Sequence, residues 1–283
     1  MEGKEKMVNR YQEREAKAAN GFMMLLVTIL VFAAAVCGIV FGAIQLDEYG
    51  SGLGAFLLAL GVVCIPLGCI LCPGFKVLNP NEAVVLTLFG KYYGTIKRDG
   101  FFWTNPFCAC INPGSERTVT TMGANGMNIS FGGTRKISLK TMTLNNEKQT
   151  VNDERGNPII IGTIVIWRVV DTTKAVFNVQ NYRTFLSTQC DSATRNISRQ
   201  YPYDLMEEGS SDEKTLRGSS QEIADMMKQD LQERVSIAGL EILEVRITHL
   251  SYASEIAAAM LQRQQAEAVV VARKKIVEGA VGM

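Results

Sequence analysis

Apolar positions in this chain are bunched before they are patterned. Phe22–Leu46 and Leu53–Cys72 run for 25 and 20 residues without a charged side chain, and only Asp47-Glu48-Tyr49-Gly50-Ser51-Gly52 separates them. A helix rises about 1.5 Å per residue, so each run is long enough to cross a hydrocarbon core of about 30 Å. Together they predict a transmembrane helical hairpin. The second run carries Gly54, Gly61, Pro66 and Gly68; lipid tolerates these where a neighbouring helix approaches closely and covers the freed carbonyl. A secretory signal is the alternative for the first run. That run exceeds the usual apolar length of a signal and has no polar cleavage zone behind it.

Beyond Cys72 the pattern takes strand and helix periods in turn. Phe75–Leu88 reads as extended on both sides of the turn Asn79-Pro80-Asn81, Gly90 and Gly94 punctuate, and Arg98-Asp99-Gly100 turns into Phe101-Phe102-Trp103. Residues 109–136 show no assignable period. Ile159–Val170 is β-branched almost throughout, which predicts a strand covered on both faces or nearly so and hairpinned to Val151 through the turn 153–157. Tyr182, Phe185, Leu186, Ala193 and Ile197 fall at helical steps. After a polar loop, Glu207–Gly218, the pair Ser219 and Glu222 fits a capping box opening a helix over Ile223, Met226, Met227, Leu231 and Val235, with Gly239 behind it. Leu240–Leu250 reads as a strand and Tyr252–Glu278 as a long Ala- and Gln-rich helix. The fold class is α+β: a transmembrane hairpin, mixed strands then helices, and a C-terminal long helix. The predicted division is a tail over 1–21, the hairpin over 22–75, a β-rich part over 76–175, an α/β part over 176–250 and a terminal helix over 251–283.

Charge adds an orientation. Lys4, Lys6, Arg10, Arg14 and Lys17 precede the first run, Lys76 and Lys91 follow the second, and the short turn between them has no Lys or Arg. The positive-inside rule therefore puts both ends and the bulk of the chain in the cytosol. A formal charge of +1 gives no electrostatic footprint for nucleic acid. The seven cysteines include four in the apolar runs and do not form a disulfide framework. Cys72, at the cytosolic edge, is either a plain membrane-edge thiol or an acylation site.

Catalytic and cofactor patterns are missing. The single histidine, His249, has no evident nucleophile and acid around it. Cys108-Ala109-Cys110 lacks the further ligands of a tetrahedral metal set. Gly132-Gly133 with Arg135 and Lys136 fits ordinary loop chemistry as well as an anion turn, and the acidic residues Glu207, Glu208, Asp212 and Glu213 read as solvated surface. No catalytic residue, metal or cofactor is assigned, and two spans without an intramembrane charge offer no ion pathway.

Several segments taken in order resemble the stomatin–prohibitin–flotillin (SPFH, or Band 7) family. They are Val77-Leu78-Asn79-Pro80-Asn81-Glu82-Ala83-Val84-Val85, Phe89-Gly90-Lys91, Asp99-Gly100-Phe101-Phe102-Trp103 with Pro106-Phe107, Ile166-Trp167-Arg168-Val169-Val170-Asp171, Tyr182–Leu186 with Ala193–Ile197, Gly239-Leu240-Glu241-Ile242, and the Ala/Glu-rich stretch from Ala259 to Gly279. Tyr252-Ala253 departs from the family pattern, which usually has a proline there. The resemblance implies a membrane-anchored, non-catalytic scaffold that joins its own copies into rings or cages. It also implies partners among membrane lipids, membrane-anchored proteases and other membrane proteins. A regulatory subunit of a membrane protease complex, or a component of a membrane-associated hydrolase, is the alternative.

Two surfaces are expected to act. On the terminal helix, Ile256, Ala259, Arg263, Ala266 and Val270 share one stripe; its small residues suit close packing between copies, though Arg263 and Arg273 interrupt it and no leucine zipper results. The alternative is an amphipathic helix folded onto its own domain. Strand edges in the first half are a second candidate for self-contact. Phe101, Phe102 and Trp103 are candidates for the bilayer interface, where aromatic rings are favoured; a core role competes.

Overall fold

The computed structural model describes residues 12–49, 52–114, 119–121, 128–130, 134–204 and 214–282. It forms two compact units, Met1–Lys140 with Asp171–Gln180 and Thr141–Val170 with Asn181–Met283. These units are drawn differently from the sequence division at residues 175 and 250, because strand pairing carries residues 141–170 into the second unit.

In the first unit the two apolar runs are helices, α1 (Gly21–Tyr49) and α2 (Gly52–Leu71), and they pack against each other. Glycine sets how closely. A Cβ on Gly42 would stand 2.7 Å from the Leu58 nitrogen, and one on Gly61 would stand 2.8 Å from the Ala35 carbonyl oxygen. Pro66 lies inside α2, and Thr28, buried in α1, satisfies its hydroxyl on the Met24 carbonyl at 2.8 Å. A single 3-10 turn, Cys72–Gly74, leads out of α2.

Nine strands complete this unit among the described residues: β1 (Ala19–Asn20), β2 (Phe75–Leu78), β3 (Glu82–Leu88), β4 (Lys91–Ile96), β5 (Gly100–Trp103), β6 (Cys108–Ile111), β7 (Val119–Thr121), β8 (Asn128–Ser130) and β9 (Ile137–Ser138). β5 lies between β1 and β2; β3 lies between β4 and β6 and also pairs with β9; β7 pairs with β8. Leu78, Val84, Leu86, Ile96, Cys108 and Ala16 form its core. A short helix, α3 (Thr172–Phe177), absent from the sequence reading, starts where the Asp171 carboxylate accepts from the Thr173 and Lys174 amides.

The second unit is a sheet with helices on one face. β10 (Met142–Asn145) and β11 (Gln149–Asn152) pair in succession with one edge of β12 (Pro158–Val169), and β13 (Leu240–Tyr252) pairs with the other edge along its length. α4 (Tyr182–Ser198) and α5 (Ser220–Val235) cover the sheet, burying Leu186, Ile223, Met227, Leu231 and Val235. The expected coverage of β12 on both faces, or nearly so, is complete on one face and partial on the other. Ile159, Ile161, Thr163, Val165, Trp167 and Val169 are buried, Ile160, Ile164 and Ile166 are half-buried, and Arg168 is exposed.

Strict alternation also fails in β13. The register moves from Ile166↔Glu244 to Trp167↔Ile242 and from Gly162↔His249 to Thr163↔Ile247, so Leu243 and Thr248 are extra residues. Such bulges put Ile242 and Val245, three apart, on the same buried side.

The capping box is a correction. Ser219 precedes α5 but makes no side-chain cap bond. Glu222 pairs instead with Lys214 at 2.8 Å, taking the carboxylate the motif needs. Residues 207–213 of the expected polar loop lie outside the described residues; past them Leu216 is fully buried, so that end of the loop is anchored. Gly239, at φ 65°, ends the helical stretch as expected. Ala253, with φ −63° and ψ 147°, joins β13 to the last helix, α6 (Ser254–Val281). That backbone suits a proline, but the Ala253 N–H donates to the Pro158 carbonyl at 2.9 Å, a bond proline cannot make.

Candidate functional site

Two regions carry the residues expected to act. The first is the foot of the helical pair, where both apolar helices enter the β-rich unit. Phe101 stacks on Phe75 and meets Phe22 edge-on, with ring centroids 5.4 Å apart in both contacts. The Trp103 indole N–H donates to the Leu71 carbonyl at 3.1 Å, and the Thr104 N–H donates to the Gly74 carbonyl at 2.9 Å. One ring therefore contacts the start of α1 and another caps the end of α2. Phe102 packs against the core. All three rings are half-buried.

The rings that stand out are others. Phe89 is 84% and Phe107 60% exposed, and they stack on each other with centroids 6.1 Å apart. Phe89 holds φ 47°, an uncommon conformation for a bulky side chain, in the turn between β3 and β4. Sequence reading met both only within the family resemblance, as Phe89-Gly90-Lys91 and Pro106-Phe107, and gave neither a role; an apolar residue in a turn dipeptide was the available signal.

A strap before α1 was also missed. The Thr95 N–H donates to the Arg14 carbonyl at 2.8 Å and the Ala16 N–H to the Thr95 carbonyl at 3.0 Å, which lays the strap along β4, while Ala19 and Asn20 pair with Trp103 and Phe102. The Glu13 carboxylate accepts from Lys97 Nζ at 2.8 Å and from the Thr172 hydroxyl at 2.7 Å. The Tyr92 hydroxyl accepts from the Arg14 N–H at 3.1 Å. Ala16 is buried, and Gly94 opposite it leaves no room for a Cβ, which would fall 2.7 Å from the Ala16 Cα. The β4 edge, one of the strand edges expected to be open for self-contact, is thus already paired.

Nearby, Lys136 donates to Glu82 at 2.8 Å and Asn79 binds the same carboxylate, which holds the Glu82 pKa below its ordinary value, chiefly through Lys136.

The second region is α6. Ile256 is half-buried, whereas Ala259, Arg263, Ala266 and Val270 are exposed. Val270 and Val277, at 65% and 60% exposure, continue the same stripe. A second seam runs beside it through Ala258, Gln262, Gln265, Val269, Ala272, Ile276 and Gly279, all exposed and none charged. At about 100° per residue, this seam lies about 100° further round the helix. The helix does not lie back on its own sheet: past Ala257 every described residue is exposed except Met260, Gln264 and Val271, which are half-buried.

The remaining candidates sit apart from both regions. Cys190 is buried in α4 against the Thr163 hydroxyl at 3.4 Å, and burial pushes its thiol pKa up, away from a reactive thiolate. His249, on β13, contacts the Ser251 hydroxyl at 3.1 Å. Cys108 is buried with Cys110 beside it, and its pKa is also raised by burial. Among the described residues no three His, Cys, Asp or Glu side chains converge as metal ligands. Gly132-Gly133 and the acidic residues Glu207, Glu208, Asp212 and Glu213 lie outside the described residues.

A search of curated proteins finds no match. The family model for the SPFH domain / Band 7 family matches residues 76–280, which takes in every strand from β3 onward and nearly all of α6. The chain belongs to the SPFH domain / Band 7 family, whose stomatin- and prohibitin-like members are membrane-associated scaffolds.

Proposed function

We propose that this protein is a two-span membrane scaffold, non-catalytic, which joins its own copies through α6 to enclose or organise a membrane patch. The observation that carries the reading is the pair of seams on one exposed helix, one mostly apolar but interrupted by Arg263 and Arg273 and one without a charge. A helix with one seam pairs once. A helix with two seams separated round its axis can touch a neighbour on each side, which is the head-to-tail contact that closes rings or extends walls. Anchoring helps, because confinement to a membrane raises local concentration and lets weak lateral contacts sum.

The anchor reading rests on α1 and α2, each long and apolar enough to cross a bilayer. The strap supports an even number of crossings: Glu13–Asn20 precede α1 yet hydrogen-bond to β4 and β5, which follow α2, so the chain returns to the side it left. The distribution of Lys and Arg makes that side the cytosol. The contacts of Phe101 and Trp103 with the helix ends support a position for these rings at the bilayer edge, which aromatic side chains favour. Membrane lipids and a membrane-anchored protease or other membrane protein are the partners this arrangement suits; no nucleic acid is expected.

Photo-crosslinking in native membranes tests the reading. A probe at Val270 or Ile276 should give ladders of multimers, and one at Gln264, which faces neither seam, should give far fewer. Equal crosslinking from all three positions, or none, refutes it.

A further inference from the structure

A groove of about 870 Å³ opens at the foot of the helical pair, between the strap and the segment 103–107. Its apolar wall is Trp103, Pro106, Phe107 and Tyr93, and its cations are Lys17 and Arg98. Phe107, its outer lip, is 60% exposed and is stacked on the still more exposed Phe89, an apolar edge with no partner among the described residues except each other. Trp103 is tied to Leu71 at the last turn of α2, so the groove begins where the apolar helix ends.

We propose that this groove seats one anionic phospholipid from the bilayer, its headgroup on Lys17 and Arg98 and an acyl chain along Trp103, Pro106 and Phe107. The volume is that of a ligand site for a drug-sized group or a partly buried lipid. Arg98 presently meets Glu15 at 3.3 Å, with both side chains largely exposed. A surface pair of that kind is weak enough for a phosphate to replace the carboxylate. Two cations against one carboxylate favour an anionic over a zwitterionic headgroup, and a cation near a charged lipid surface is worth about a fivefold preference. The assignment rests on the reading that α1 and α2 span the bilayer, and it adds a lipid class and a binding seat to that reading.

Trp103 is its own reporter. The other tryptophan, Trp167, is buried in the second unit. The full chain is placed in nanodiscs of phosphatidylcholine and phosphatidylglycerol at fixed ratio, with bromine on the acyl chains of one lipid or the other. Brominated phosphatidylglycerol should quench Trp103 several-fold more than brominated phosphatidylcholine. Lys17→Gln should cut that preference about fivefold, Lys17→Gln with Arg98→Gln should abolish it, and Trp103→Phe should remove the quenching itself. Equal quenching by the two lipids, or a preference that survives loss of both cations, overturns the seat alone. Quenching by neither overturns the seat too, and alkaline extraction of the same membranes then reports on the anchor: a chain that stays with the bilayer keeps the spanning reading, and one that is released loses it as well.

Discussion

Gly94 shows how one residue can hold two ends of a chain together. Its missing side chain lets Ala16 lie against β4, and the strap's hydrogen bonds depend on that approach. Gly94→Ala should displace the strap and destabilise the unit by about 1–3 kcal/mol; a lower thermal midpoint, together with faster proteolysis at Arg14 and Lys17, is the expected result. Glu82 makes a prediction in pH. Lys136 lowers its folded pKa below the ordinary 4.5, so the pair stabilises fully above that value and the contribution fades as pH falls through the lowered one. Glu82→Gln should therefore flatten the acid side of the stability profile below about pH 4.5 and leave the neutral region changed by about 1 kcal/mol or less. At this scale the sequence was partly legible. Phe101, Phe102 and Trp103 were expected at the bilayer interface with a core role competing; Phe101 and Trp103 contact the helix ends and Phe102 packs on the core, whereas Phe89 and Phe107 were given no role, because a ring in a turn carries no periodic signal.

Elements were read best where burial imposes a period and worst where a bulge or a competing charge intervenes. α1, α2, β12, α4 and α6 follow from apolar runs or helical steps in the sequence. The alternation of β13 breaks at Leu243 and Thr248, which no pattern of residues marks, and α3 depends on a cap in six residues too short to show a period. The two caps make the contrast testable. The Asn181 carboxamide accepts from the Arg183 and Thr184 amides, while Ser219 makes no such bond. Asn181→Ala should cost about 1 kcal/mol and Ser219→Ala far less, measured by chemical unfolding of the two variants in parallel. An equal cost would restore the capping box that Glu222 abandons for Lys214.

For the whole molecule, the proposed function divides the labour among three parts: the apolar helices as the anchor, the strap as the element that returns the chain to one side, and α6 as the surface for self-contact. The two apolar helices and the family resemblance were legible from end to end because both are distributed over long segments. The strap was not, since residues 13–20 look like a charged tail until β4 is in place beside them. The most direct test of the central claim is the mass of the full chain extracted in mild detergent, measured by light scattering against Val270→Asp with Ile276→Asp. The wild-type chain should elute as an assembly of many copies, and the double variant as monomers or dimers with its secondary structure retained. A wild-type chain that is monomeric at every concentration, or a variant that assembles to full size, would contradict the account.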